Sequence, residues 1–237
     1  MHMHGAGHHH PSAGEGGDDV SSFRMILTMG TIGLLAGLLI VVTYRLTLPI
    51  IEQNKAEFLQ RAIFDVLPNA SQKQAFVVEK DGTLRPERGK EKRVFKIYAG
   101  YDDRGKLVGV AIEAKGQGFQ DVIHIIYGYD PEREVIVGMK VLESKETPGL
   151  GSKIETDPEF IANFKALVVK LTPDLSDLVH PLEMVKKGQK TADWQIEAIT
   201  GATISSRAIT NILLKSSREI LPIIQRNLDV LKQGASQ

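Results

Sequence analysis

The sequence predicts an α+β protein, with a single N-terminal transmembrane helix followed by a domain of mainly antiparallel sheet with flanking helices. Three observations carry this. Met25 to Tyr44 is a run of twenty residues without a charge, about the length that crosses a hydrocarbon core. Between Arg93 and Leu142, apolar runs of strand length alternate with turn signals. From Ile204 onward, apolar residues recur at Ile204, Ala208, Ile209, Ile212 and Leu213, which is helical spacing.

The first segment, residues 1–22, is rich in Gly, His and Asp and is expected to be a disordered tail. Five of the seven histidines fall in the first ten residues. A metal-binding tract has this composition, but a natural tail or an expression tag is the favoured reading. Residues 23–45 form the expected anchor, bracketed by Arg24 and Arg45. A cleaved signal peptide would carry a basic start, a shorter apolar core and a small-x-small cleavage site. Here the upstream residues Glu15, Asp18 and Asp19 are acidic, and Arg45-Leu46-Thr47-Leu48-Pro49 follows. A buried core helix would rarely be apolar all round. A helix retained in the lipid bilayer is therefore expected. Arg24 stands alone on one side, against Arg45, Lys55 and Arg61 on the other, so the positive-inside count leaves orientation open.

Residues 46–68 carry apolar side chains at Ile50, Ile51, Phe58, Leu59, Ala62, Ile63, Val66 and Leu67. They read as an amphipathic juxtamembrane helix that starts at Pro49 and ends at Pro68-Asn69. Residues 69–237 are long enough for one medium domain. Within it, Thr83 to Lys92 is a charged loop. Strands are expected over Val94–Ala99, Leu107–Ala114, Val122–Tyr129 and Glu134–Leu142. Asp102-Asp103-Arg104-Gly105 and Asp130-Pro131-Glu132-Arg133 provide turns between them. A helix is expected from Pro158 to Val169 with Asp157 as its cap. The last helix is expected to be capped by Thr200 and interrupted at Pro222.

Several functions are excluded. The net charge is zero and the basic residues are scattered, so the chain has no electrostatic footprint for nucleic acid. Without cysteine there is no disulfide and no Cys-ligated iron–sulfur cluster. Gly116-Gln117-Gly118 lacks the third glycine and the βαβ context of a dinucleotide fingerprint. His124 and His180 read as structural, and the sequence alone places no His or Ser partner for Glu143 and Glu146 as a carboxylate pair. No catalytic residue and no metal ligand is assigned.

Two short strings stand out. In Glu197-Ala198-Ile199-Thr200-Gly201-Ala202-Thr203-Ile204-Ser205-Ser206, Thr203 falls in the first turn of a helix. Free N–H groups and the positive end of the dipole favour an anion there, although an ordinary helix start has the same wording. Glu146-Thr147-Pro148-Gly149-Leu150-Gly151 is a stiff turn that can lie flat against a planar ring, or serve as a plain surface turn.

Together these strings, about 55 residues apart, resemble the two signatures of the FMN-binding domain family. The resemblance implies FMN esterified through its phosphate to Thr203, with Thr200, Gly201 and Ala202 completing the attachment motif. It implies a second cofactor-binding segment of Glu146, Thr147, Gly149, Leu150 and Gly151. With its N-terminal anchor, the chain looks most like the G subunit of Rnf, a membrane-bound ferredoxin:NAD+ oxidoreductase that couples electron transfer to ion translocation. The alternative within the family is the C subunit of the sodium-translocating NADH:quinone reductase.

The implied partners are the A, B, C, D and E type membrane subunits and a flavin-attaching transferase during maturation. The implied location is the bacterial inner membrane, with the flavin domain on the extracytoplasmic side. Two residues depart from the pattern: Glu197 stands where the family usually has Asp, and Ser144 where a His often precedes Lys-Glu-Thr-Pro. Trp194 and Tyr129 are further candidates for the ring's surroundings. A non-redox membrane adaptor and a free-standing flavoenzyme with its own acid or base remain the readings from other classes.

Overall fold

The structure is a computed structural model and describes residues 17–89, 91 and 94–234. The histidines of the N-terminus lie outside the described residues. The chain divides into two units, Met1–Lys55 and Ala56–Gln237.

The described residues of the first unit are helical. Helix α1 runs over Gly17–Val66 as one continuous element and carries its last residues into the second unit. The helix therefore begins inside the expected tail, because adding a residue to an existing helix is cheap once the helix is nucleated. It also runs through Pro49, where a second helix was expected to start. Proline removes one i→i−4 bond and crowds the carbonyl four residues back, a local cost across which the helix continues; Thr47 Oγ1 donates to Thr43 O at 2.9 Å and Tyr44 O at 3.2 Å in the preceding turn. Of its most apolar 18-residue window, none is buried, and its mean hydropathy is 2.4. That disposes of the buried core helix. This is a helix long and apolar enough to cross a membrane.

The second unit is built on a seven-stranded, fully antiparallel sheet in the order β2-β1-β3-β4-β5-β6-β7. The strands are β1 (Gln72–Val78), β2 (Leu84–Pro86), β3 (Lys96–Tyr101), β4 (Leu107–Gln117), β5 (Val122–Asp130), β6 (Val135–Glu143) and β7 (Leu167–Val168). The four expected strands correspond to β3 through β6. Strand β2 lies inside the expected charged loop; tertiary pairing of Leu84 with Val78 overrides the local polarity. A two-stranded parallel pair, β8 (Glu183–Val185) with β9 (Gln195–Glu197), lies outside the main sheet.

Both faces of the sheet are covered. Along β5, Ile123, Ile125, Tyr127 and Tyr129 point to one core and Ile126 to the other. The smaller core packs Ala62, Ile63 and Val66 of α1 and the following Leu67 on Tyr98, Ala111 and Ile126. The larger core receives helix α3 (Thr203–Arg226) and the short α4 (Leu228–Gln233). Three sheet tyrosines fix the position of these helices. Tyr127 Oη and Ser216 Oγ are 2.8 Å apart, Gln225 Nε2 donates to Tyr129 Oη at 2.8 Å, and Tyr101 Oη donates to Leu231 O at 2.6 Å. Burial pushes the Tyr101 phenol up to about 12, so it remains a donor at neutral pH.

Two helix ends differ from expectation. Helix α2 covers only Pro158–Ala162, with Asp157 capping it by accepting from Phe160 N at 3.0 Å. Beyond it, Leu167 and Val168 pair with Ile136 and Val135 instead of continuing the helix. Pro222 sits within α3, and the interruption comes at Asn227, whose Nδ2 donates to Gly82 O and Ile223 O.

Candidate functional site

Both short motifs fold as tight turns of the same design. Leu150 N donates to Thr147 O at 3.1 Å, with Gly149 at φ +76°. Ala202 N donates to Ile199 O at 3.0 Å, with Gly201 at φ +83°. A positive φ at the third residue is what a type II turn requires, and glycine meets it without strain. Pro148 at the second position presets the first turn. Ser206 closes the other turn from the helix side, accepting from Ile199 N at 3.1 Å and donating to Ala202 O at 2.9 Å.

The turn at Gly201 also corrects the expected cap. The N-cap of α3 is Ala202, with no side-chain hydrogen bond, and Thr203 is the first helical residue. Thr200 stands on the far side of the glycine turn and cannot reach the first-turn N–H groups as a cap would. The positive end of α3 is therefore not sealed by its own side chain, and Thr203 is exposed there.

Glu146 joins the two turns. It is buried, at 5 % exposure. Its Oε1 accepts from Phe119 N at 2.8 Å and Gln120 N at 3.1 Å, and its Oε2 accepts from Ser205 Oγ in the first turn of α3. One carboxylate thus ties the β4–β5 loop, the Glu146–Gly151 turn and the helix start. Two glycines make room for it. A Cβ on Gly118 would stand 2.5 Å from Glu146 Oε1, and one on Gly151 would stand 2.7 Å from both Glu146 Oε2 and Ser205 Oγ. Gln120 Nε2 also donates to Thr147 Oγ1 at 2.9 Å, and Lys145 Nζ bonds Asp121 Oδ2 at 2.5 Å.

Around this joint lies a cleft of about 310 Å³ lined by Phe119, Glu146, Thr147, Leu150, Gly151, Gly201, Ala202, Thr203, Ile204 and Ser205. Seven of the nine expected cofactor-binding residues line it. Gly149 shapes the turn without lining the cleft, and Thr200 lines a smaller polar pocket beside Lys187 and Glu197. Glu197 Oε1 accepts from Gly188 N, so the residue at the departed motif position braces the approach to the turn.

Phe119, Leu150 and Ile204 leave more than half of their surface exposed on the rim. Three large apolar side chains, two from loops and one from the first turn of α3, held in the open around an exposed hydroxyl, suit a planar apolar ligand. Ile204 is a correction, since the helical spacing placed it on the core stripe. Phe119 was legible only as an apolar residue after the Gly116-Gln117-Gly118 string, and Ser205 carried no signal of its own. The two aromatic candidates are elsewhere. Tyr129 is fully buried against α3, and Trp194 stacks on His180 with centroids 3.9 Å apart.

A larger cavity, about 720 Å³, lies along the middle of α3 and contains none of the motif residues. Much of its charge is used internally. Glu91 is pushed down to about 2 by its bond to Arg85, Lys96 pairs with Glu87, and Tyr98 donates to Glu113 at 3.0 Å. His124 Nε2 lies 2.8 Å from Glu113 Oε2, but off the line of a hydrogen bond. The smaller cleft is the candidate site because both motifs converge there.

Comparisons with known proteins identify the domain that holds both cavities. The sequence profile of the FMN-binding domain matches residues 118–216. Over 193 residues the chain is 32 % identical to the G subunit of an ion-translocating oxidoreductase complex from Methanosarcina acetivorans, covering 80 % of this chain and 89 % of that one. It is 27 % identical to the G subunit of the Na(+)-translocating ferredoxin:NAD(+) oxidoreductase complex from Acetobacterium woodii, covering 80 % and 86 %. The crystal structure of Shewanella oneidensis NqrC superposes with a TM-score of 0.57 at 18 % identity, covering 78 % of this chain and 99 % of that one. That last likeness concerns the fold.

Proposed function

The chain belongs to the family of G subunits of ion-translocating oxidoreductase complexes, and on that premise we propose that it is an electron-transfer subunit carrying FMN in a membrane-bound ferredoxin:NAD+ oxidoreductase complex. The FMN is attached through its phosphate to the Thr203 hydroxyl. The observation that carries this is the cleft itself, where both motifs meet around an exposed Thr203 with an apolar rim.

The residues fit the group. Thr203 offers a solvent-accessible hydroxyl at the positive end of α3, where a phosphodiester is favoured. Thr200, Gly201 and Thr203 are exposed together, so a flavin-attaching transferase can reach the acceptor. Phe119, Leu150 and Ile204 provide the apolar surface for a ring. Bound FMN supplies one- and two-electron transfer. Among the described residues, the only ionisable side chain lining the cleft is Glu146, and both of its oxygens already accept hydrogen bonds. A substrate-transforming flavoenzyme needs an acid or base positioned for its substrate. The lack of a free one in this cleft favours a relay that exchanges electrons with partner proteins. Helix α1 anchors the protein in the bilayer beside the other membrane subunits, with the flavin domain on the extracytoplasmic side.

The test is the mass of the intact protein matured in cells that contain the transferase. Wild type should carry one FMN through denaturation, Thr203→Ser should retain some, and Thr203→Val should have the mass of the bare chain. The purified protein should be reduced by dithionite and should not oxidise NADH. Flavin retained by Thr203→Val would place the attachment elsewhere. Rapid reduction by NADH alone would favour the free-standing enzyme.

A further inference from the structure

We infer that the Glu146 carboxylate lowers the reduction potential of the flavin at Thr203, acting through its charge from within the cleft and not as a direct ligand of the ring. The inference rests on the proposed attachment of FMN. Three observations support it. Glu146 is the only ionisable side chain among the described residues lining the cleft. It is buried at 5 % exposure, so water screens it weakly. Its two oxygens are held by three donors, Phe119 N, Gln120 N and Ser205 Oγ, which fix the charge in place and leave it no freedom to turn away.

The nearest basic residue in sequence does not cancel it. Lys145 Nζ is engaged with Asp121 Oδ2 at 2.5 Å and does not line the cleft. Adding an electron to a ring in this cleft therefore puts negative charge near a fixed negative charge. The reduced form is disfavoured and the midpoint falls. The arrangement also explains why a buried acid meets two close-approach glycines, Gly151 in its own turn and Gly118 in the β4–β5 loop. Gly118 and Gly151 admit the carboxylate to the junction of the loops, and their own missing side chains leave the cleft open.

Two substitutions separate charge from architecture. Glu146→Gln is nearly isosteric. Its amide oxygen can still accept from Phe119 N and Gln120 N, and its amide N–H can donate to Ser205 Oγ. The hydrogen bonds are kept and the charge is lost. Ser205→Ala does the reverse, keeping the charge and removing one dipole that offsets it.

The measurement is an equilibrium redox titration of the full-length flavinylated protein, followed by visible absorbance. Glu146→Gln should move the midpoint to more positive values, and Ser205→Ala to more negative ones. A purely architectural role would loosen the cleft in both variants, admit water and raise both midpoints. Shifts of the same sign, or an unmoved midpoint in either variant, overturn the inference. If Glu146→Gln fails to fold or to take up flavin, Ser205→Ala decides alone, with a downward shift required. A wild-type chain without covalent flavin would instead defeat the proposed function, and mass spectrometry shows that before any titration.

Discussion

At the residue scale, Leu150 is the side chain best suited to test where the ring lies. It is 53 % exposed although large and apolar, and it borders the cleft. Its neighbours in the turn are held by backbone bonds, Leu150 N to Thr147 O and Ser152 N to Thr147 O at 3.2 Å. Truncating it should leave that turn intact. Leu150→Ala is expected to retain covalent flavin, to change stability by no more than about 0.5 kcal/mol as an exposed site, and to shift the flavin's absorption maxima. An unchanged spectrum in the purified variant would place the ring away from this turn. The residue was named from the sequence because the Glu-Thr-Pro-Gly-Leu-Gly wording singled it out. Phe119 was not, although it stands on the same rim. No local pattern distinguishes an apolar residue that lines a cleft from one that fills a core.

At the element scale, the approach of β9 to the acceptor turn depends on one buried amide. Asn163 Nδ2 donates to Phe160 O at 3.0 Å and Glu197 O at 3.1 Å, while its Oδ1 accepts from Glu197 N at 3.0 Å and Lys190 Nζ at 3.3 Å. Both hydrogens and both lone pairs are used. The side chain serves as a strand partner for Glu197, six residues before Thr203. Asn163→Leu keeps the volume but leaves the Glu197 N–H and C=O unpaired. A loss of about 2 to 4 kcal/mol is expected in chemical denaturation, from two unsatisfied backbone groups. Flavin occupancy of the surviving folded protein should also fall, because the acceptor turn loses its brace. A denaturation midpoint equal to wild type would show that water replaces the amide. This role could not be read in advance. The sequence placed Asn163 inside a helix running to Val169, and only the early end of α2 at Ala162 frees its side chain to reach β9.

At the scale of the whole molecule, the C-terminal end of α1 belongs to the folded domain. Ala62 and Ile63 are completely buried, and Val66 and Leu67 nearly so, in the core that also holds Tyr98, Ala111 and Ile126. The residues up to Lys55 form a separate unit. A chain starting at Ala56 is therefore expected to be a folded, monomeric, detergent-free domain. A chain starting at Pro68 should lose about 1.5 to 3 kcal/mol for each large apolar side chain no longer buried, and it should aggregate. Size-exclusion chromatography of the two truncations decides this, and equal behaviour would mean that α1 contributes nothing to the domain.

The sequence by itself determined the class of the protein. Twenty uncharged residues specify a helix long and apolar enough to span a membrane, because backbone polar groups in hydrocarbon must bond within the segment. Period-two runs between turn signals specified β3 to β6, and two strings specified Thr203 and the turn at Glu146–Gly151. These are short-range properties, set by local chemistry and spacing. Tertiary structure decided the remainder. It merged the helices on either side of Pro49 into α1, because the cost of a proline, one lost bond and a ring clash, is local and is outweighed by the helical residues on both sides. It moved the cap of α3 from Thr200 to Ala202, because the Gly201 turn carries Thr200 away from the helix end. It made Glu146 the joint of three segments, because donors from Phe119, Gln120 and Ser205 converge only when the β4–β5 loop, the turn and α3 are brought together by the sheet. The donors that meet at that carboxylate stand 26 to 59 positions from it in sequence, and no local spacing encodes a meeting at that range.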